Sequence, residues 1–174
     1  GLVGSEMCIR DSGYLLPALS MKSEGGILVS VPTKILQNQI MQEEGRRLKD
    51  TFHIDIHSLK GPQNYLKLDN FYKILHRPES NRLFTRFKMQ VLIWLTETET
   101  GDLDEIGQLY RYQHFLAELV HDGKLSKKSL FISEDFWQRS QDRAKSSRLL
   151  LTNHAYLVTR LEDDPESVSY THLT

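Results

Sequence analysis

An α/β fold with an incomplete parallel sheet and a mainly α-helical insertion is predicted by three observations in this sequence. Ile27 to Val31 (ILVSV) and Leu149 to Thr152 (LLLT) are short apolar runs of the kind buried on both faces of a parallel sheet. Each passes at once into a helical pattern. Between them, Asn64 to Ser147 carries several amphipathic helical patterns and no convincing strand, which marks an insertion into an α/β layer.

Tyr14 to Met21 (YLLPALSM) suits the buried remainder of a helix, with Pro17 in a first turn or at a kink. Gly25, Gly26 and Pro32 bound the first strand. Thr33 is placed to cap the next helix, whose apolar stripe is Ile35, Leu36, Ile40 and Met41. Phe52 to Leu59 then alternates, with Ile54 and Ile56 on one face and His53, Asp55 and His57 on the other, so strand, helix and strand form a βαβ unit. A parallel pair joined by a right-handed crossover is the expected arrangement.

In the insertion, Leu83, Phe87, Val91, Trp94 and Leu95 define one long amphipathic helix that ends before TETETGDLDEIG. Gly101 and Asp102 read as its turn and the next cap. Tyr112, Phe115, Leu116 and Leu119 form a second apolar stripe, and Phe136 to Arg148 a polar helix with aromatic anchors. After the strand at Leu149, His154 to Glu162 is helical. The ends behave differently: GLVGSEMCIRDS and VSYTHLT show neither helical nor strand periodicity. Both resemble translated sequencing-adapter read-through, so residues 1–12 and 168–174 are expected to be artefactual or disordered.

Composition excludes some functions. The 174 residues carry 22 Lys plus Arg against 23 Asp plus Glu, which leaves no dedicated basic tail, although local backbone contacts to nucleic acid need no global excess of charge. No apolar run reaches bilayer length and no signal-like start is present, so the chain reads as cytosolic with no membrane partner. Its single cysteine, Cys8, lies in the N-terminal segment. The rest of the chain therefore has no thiol for a zinc site or an iron–sulfur cluster.

Three segments carry the functional signal. SVPTKILQNQI is a strand ending in a turn and a capped helix, a geometry that presents N–H groups and short polar side chains to an anion; on spacing alone, a purely capping role for Thr33 ranks first. KGPQNYL, with Lys60 and Asn64 flanking a Gly-Pro turn, is by itself only a loop. RLLLTNHAYLV places Asn153 and His154 directly after a buried strand, where the carboxyl edge of a sheet opens to ligands; Asn153 also suits a helix cap. Asp102, Asp104 and Glu105 lack the alternating ligand loop and distal Glu of a calcium site. His53 and His57 share a strand face without a third ligand and read as a solvated polar face, and His114 and His121 fare no better. Aromatic and basic residues interleave at Arg82 to Lys88 and Tyr110 to Tyr112; core packing ranks first there and strand contact second.

Read in order and at their separation, ILVSVPTKILQNQI, KGPQNYL and SSRLLLTNHAYLV resemble the DinG branch of the XPD-like superfamily 2 helicases, from just after the Walker A loop to just before the DEAH box. The resemblance implies a partial RecA-like P-loop motor domain: residues 13–60 as its first part, 61–147 as the helical insertion equivalent to the iron–sulfur and arch region, and 148–167 as its return. SVPTKILQNQI is similar to motif Ia, which implies phosphate contacts from Thr33, with Lys34 and Gln37 as further candidates; Asn64, Asn153 and His154 complete the nucleic-acid-binding set. Lys67 stands where the family has the first cluster cysteine, so no iron–sulfur cluster is expected, as in the cluster-free subgroup whose members often carry an upstream exonuclease domain. The TGDLDE turn is also similar to one in the family. For the parent, the resemblance implies ATP hydrolysis with Mg2+ and 5′ to 3′ unwinding by a monomer acting on single strands and duplex junctions in repair or replication. The Walker A and DEAH residues are absent from these residues, and the isolated chain is expected to be inactive. The alternatives are a non-catalytic single-stranded nucleic-acid-binding module and a helical protein-interaction domain.

Overall fold

A computed structural model describes residues 26–78, 81–107, 112–163 and 171–173. Residues 1–12, the Tyr14 to Met21 segment and Tyr110 lie outside them. The chain forms two compact units, residues 1–60 with 143–174 and residues 61–142.

The first unit is α/β. β1 (Ile27–Val31) leads through Pro32 and Thr33 into α1 (Lys34–Ile40), a π-helical turn (Met41–Gly45) and α2 (Arg46–Phe52). β2 (Ile56–Ser58) follows, and the chain returns with β3 (Leu149–Asn153) and a terminal helix, His154–Asp163. All pairings are parallel and the strand order is β2-β3-β1-β4, where β4 is Thr171–Leu173. β3 therefore separates β1 from β2, and the expected direct pairing of those two strands does not occur. LLLTN is buried along its whole length, and its continuous apolar run favours an interior position over that of the shorter, half-polar IHS. Thr171–Leu173 is a strand, whereas VSYTHLT shows no strand pattern; backbone bonds to β1 form this edge irrespective of side-chain periodicity.

Strand alternation divides the core by face. Ile27, Val31, Leu149 and Leu151 pack with Ile40, Leu48 and Ile56, and Leu28 and Leu150 pack with Leu59, Ala144, Tyr156 and Leu157. Leu36, Ile40 and Met41 face the core as expected, but Ile35 is 79% exposed and Gln37 takes the interior position instead. Gly45 closes the π-helical turn where a Cβ would come within 3.3 Å of Ile56 Cγ2. The expected strand over Phe52 to Leu59 is shortened, because Phe52 still belongs to α2 and His53 ends that helix in the left-handed region (φ 53°). His53 and His57 consequently do not share a strand face.

The second unit is helical. Its elements are α3 (Leu68–Leu75), α4 (Arg82–Glu97), the short α5 (Gln113–Leu116) and most of α6 (Phe136–Ser146); the terminal helix of the first unit is accordingly α7. A 3₁₀ turn at Pro62–Asn64 precedes α3 and another at Leu103–Glu105 lies between α4 and α5. Tyr65, Leu66, Phe71, Ile74, Phe84, Phe87, Val91, Trp94 and Leu119 share one core. Phe84 is buried and Leu83 exposed, so the inward face of α4 runs Phe84, Phe87, Val91, Trp94, one residue out of phase at its start. Residues 65–67 are tied on both sides by backbone: Leu66 N–H donates to Gly101 O (3.0 Å), Lys67 N–H to Leu119 O (2.8 Å), and Tyr65 O accepts from His121 N–H (2.9 Å). Lys88 is buried in the same unit, its Nζ donating to the carbonyls of Leu75 and Arg77 near the end of α3 and lying 4.8 Å from the Phe84 ring centroid.

The TETGDLDE segment is a self-wired turn. Glu105 accepts from the hydroxyls of Thr98 and Thr100, Gly101 N–H donates to Thr98 Oγ1, and Asp102 caps the 3₁₀ turn through Asp104 N–H at 2.9 Å. Gly101 has φ +67°, and a Cβ there would stand 2.1 Å from Phe136 Cγ. Gly101→Ala is therefore expected to destabilise the helical unit by about 3 kcal/mol, combining left-handed strain with overpacking, as read from the urea midpoint of the Trp94 and Trp137 fluorescence transition.

Candidate nucleic-acid interface at the carboxyl edge of the sheet

Each strand of the first unit that carries a full helix or loop beyond it turns polar toward its carboxyl end: Ser30 in β1, Ser58 in β2, Thr152 and Asn153 in β3. Parallel pairing brings these ends together, with Val31 opposite Asn153 and Ser58 opposite Leu151.

Gln37 organises that edge. It is completely buried one turn into α1, and its Nε2 donates to Ser58 Oγ (2.9 Å), Leu59 O (3.1 Å) and Leu151 O (3.0 Å). Its Oε1 accepts from Asn153 Nδ2 at 2.9 Å. Asn153 in turn accepts the Tyr156 N–H at 3.0 Å through Oδ1, capping α7, and Thr152 Oγ1 donates to Leu59 O at 3.0 Å. Side chains from α1, β2 and β3 thus share one buried network in which the Gln37 and Asn153 amides find partners on both their oxygen and nitrogen sides.

The six candidate residues separate into surface and interior. Thr33 is exposed and caps α1, its Oγ1 accepting from Leu36 N–H at 3.1 Å. Lys34 is exposed beside it, and His154 is exposed at the start of α7. Gln37 and Asn153 lie inside the network just described, with Gln37 wholly withdrawn from solvent and hydrogen-bonded at both ends of its amide. Asn64 belongs to the helical unit, is buried, and turns its Nδ2 back onto Gly61 O at 3.0 Å. The capping reading of Thr33 and Asn153 is observed in both cases. Ser58 and Thr152 were not singled out from sequence, although a hydroxyl near the carboxyl end of each apolar run was visible there.

Lys67 is an ion-pair residue. Its Nζ donates to Asp122 Oδ1 at 2.7 Å and to Lys124 O at 2.8 Å. Nearby, His121 is buried with Nδ1 accepting from Gly123 N–H (2.8 Å), so Nε2 carries the proton and donates to Asp135 Oδ2 at 2.9 Å. Among the described residues, no three His, Cys, Asp or Glu side chains converge as a metal site would require, and no helix is long and apolar enough to cross a membrane.

The chain is 34% identical over 157 residues to the 3′-5′ exonuclease DinG of Bacillus subtilis (strain 168), an alignment covering 86% of this chain. This is a DinG-type chain. It is also 31% identical over 163 residues to the 3′-5′ exonuclease DinG of Staphylococcus saprophyticus and 27% identical over 165 residues to that of Staphylococcus epidermidis. These alignments cover 89% and 92% of the chain. No family model matches it. The chain spans only 17% to 18% of the length of these DinG relatives.

The hydrogen bond from Lys67 holds the Asp122 carboxyl below its ordinary 3.8, at about 2. A depressed carboxyl stabilises the fold above its unfolded pKa and loses that contribution as pH falls through the folded one. Stability of the helical unit should therefore drop between pH 4 and pH 2 in acid titrations followed by circular dichroism, and Asp122→Asn should remove that part of the drop.

Proposed function

We propose that this chain is the part of an ATP-dependent DinG-type DNA helicase that guides single-stranded DNA across the carboxyl edge of its first motor domain. The observation that carries the reading is the pairing of DinG similarity over most of the chain with exposed Thr33, Lys34 and His154 at the adjoining ends of β1 and β3. A hydroxyl, an ammonium and an imidazole at two helix starts suit phosphate oxygens of a nucleic-acid backbone. The curated relatives are named for 3′-5′ exonuclease activity; here we assign this segment to the helicase motor and the nuclease chemistry to another part of the parent. ATP and Mg2+ belong to the parent's nucleotide site, unwinding runs 5′ to 3′, and the role lies in DNA repair or replication. Lys67, held by Asp122, stands in place of a cluster ligand, so the segment works without an iron–sulfur cluster.

The phosphate-binding Lys and Ser/Thr of a P-loop are not among these 174 residues. The isolated chain is therefore expected to show no DNA-stimulated phosphate release from ATP. It is expected to bind a fluorescent oligo-dT in anisotropy titrations, with affinity falling as salt rises. Thr33→Ala should weaken that binding about fivefold, the loss of one hydrogen bond of roughly 1 kcal/mol. Salt-insensitive or absent oligonucleotide binding would favour a protein-interaction role instead.

A further inference from the structure

Gln37 and Asn153 are buried, yet they belong to the two elements that present the exposed candidates. Asn153 immediately precedes His154 and caps α7 through Tyr156 N–H. Gln37 lies one turn beyond Thr33, in the helix that Thr33 caps through Leu36 N–H. The 2.9 Å hydrogen bond between Asn153 Nδ2 and Gln37 Oε1 links these two helix starts directly through side chains. The opposite end of the Gln37 amide is anchored on the carbonyls of Leu59 and Leu151 and on Ser58 Oγ. Rotation of the amide would set its oxygen against two carbonyls, so the network fixes its orientation and leaves Oε1 pointing at Asn153.

We propose that Gln37 and Asn153 form a positioning latch that holds Thr33 and His154 in one fixed spacing for successive phosphates of a single strand. The phosphate-binding part of this inference rests on the functional reading above; the latch itself rests on the network. A backbone that passes over two neighbouring strand ends meets two separate helix starts, and binding both at once requires that neither tilt independently. Val31 and Asn153 are register partners, so adjacent strands, about 4.8 Å apart, carry the two starts. A hydrogen bond buried beneath them joins the starts without occupying the surface on which a strand would lie.

Asn153→Ser separates the latch from the cap. Serine is a good N-cap, so the bond to Tyr156 N–H can survive, but its hydroxyl is too short to reach Gln37. In the full 174-residue chain, amide hydrogen exchange by NMR should show Tyr156 still protected and Leu36 exchanging about tenfold faster. Oligo-dT affinity should fall about tenfold, twice the effect of Thr33→Ala alone. Gln37→Met, which keeps the length and removes the polar partners, should reproduce the loss of affinity together with a lowered melting temperature. Unchanged oligo-dT affinity in a folded Asn153→Ser chain, when the parent chain binds, would overturn the latch and leave the network as scaffolding. If the parent chain does not bind oligo-dT, the DNA reading fails, and the latch is then decided by exchange: unchanged Leu36 exchange in Asn153→Ser would overturn it too.

Discussion

The α/β unit depends on a buried primary amide. Gln37 is wholly withdrawn from water, and an amide in that position costs several kcal/mol unless both its ends are hydrogen-bonded. Its partners fix the geometry around it. Leu59 O and Leu151 O lie just beyond or within β2 and β3, Ser58 ends β2, and Asn153 ends β3. α1 can meet this set only at one axial position and one rotation, so the network defines where the helix sits on the sheet more sharply than apolar contacts would. A leucine at this position would fill similar space and orient nothing, leaving Asn153 Nδ2 without its acceptor. Polar networks of this kind select one arrangement among several that hydrophobic packing tolerates.

The helical unit is organised differently. A central aromatic and aliphatic core built on Phe84, Phe87, Val91 and Trp94 is surrounded by polar clips at the surface and under loops: Lys67 to Asp122, Arg77 to Glu118, His121 to Asp135. The exposed Arg77–Glu118 pair contributes little by itself, since solvent screens it. The buried His121 serves a different purpose, because it joins the loop after Leu119 to the residue that caps α6, Asp135 accepting from Gln138 N–H at 2.8 Å. Loops that lack secondary structure of their own are fixed in this unit by side-chain hydrogen bonds to backbone.

Much of this was legible in the sequence. ILVSV and LLLT announced buried parallel strands, the Thr33 and Asp102 caps were readable from residue type and position, and the spacing of Phe87, Val91 and Trp94 gave the inward face of α4. What was not legible has physical causes. Sheet order depends on competition among strands for the centre, which local pattern does not encode, so β3 separating β1 from β2 could not be read off the chain. The apolar Ile35 and polar Gln37 exchange their expected places because burial of Gln37 is made favourable by carbonyls over 20 residues away in sequence. His53 looks like part of a strand until the left-handed turn that ends α2 is seen. At the candidate interface, sequence singled out segments that the fold brings together at the ends of β1 and β3, but could not distinguish side chains facing outward, Thr33, Lys34 and His154, from those that hold the segments together, Gln37 and Asn153.

The central claim is that single-stranded DNA runs along the carboxyl edge of the α/β unit. Photocrosslinking of a 4-thiothymidine oligonucleotide to the 174-residue chain, mapped by peptide mass spectrometry, tests it most directly. The account predicts crosslinks concentrated in the peptides that contain Thr33 and Lys34 and that contain His154. Crosslinks confined to residues 61–142, with those two peptides unmodified, would contradict it and move nucleic-acid recognition to the helical unit.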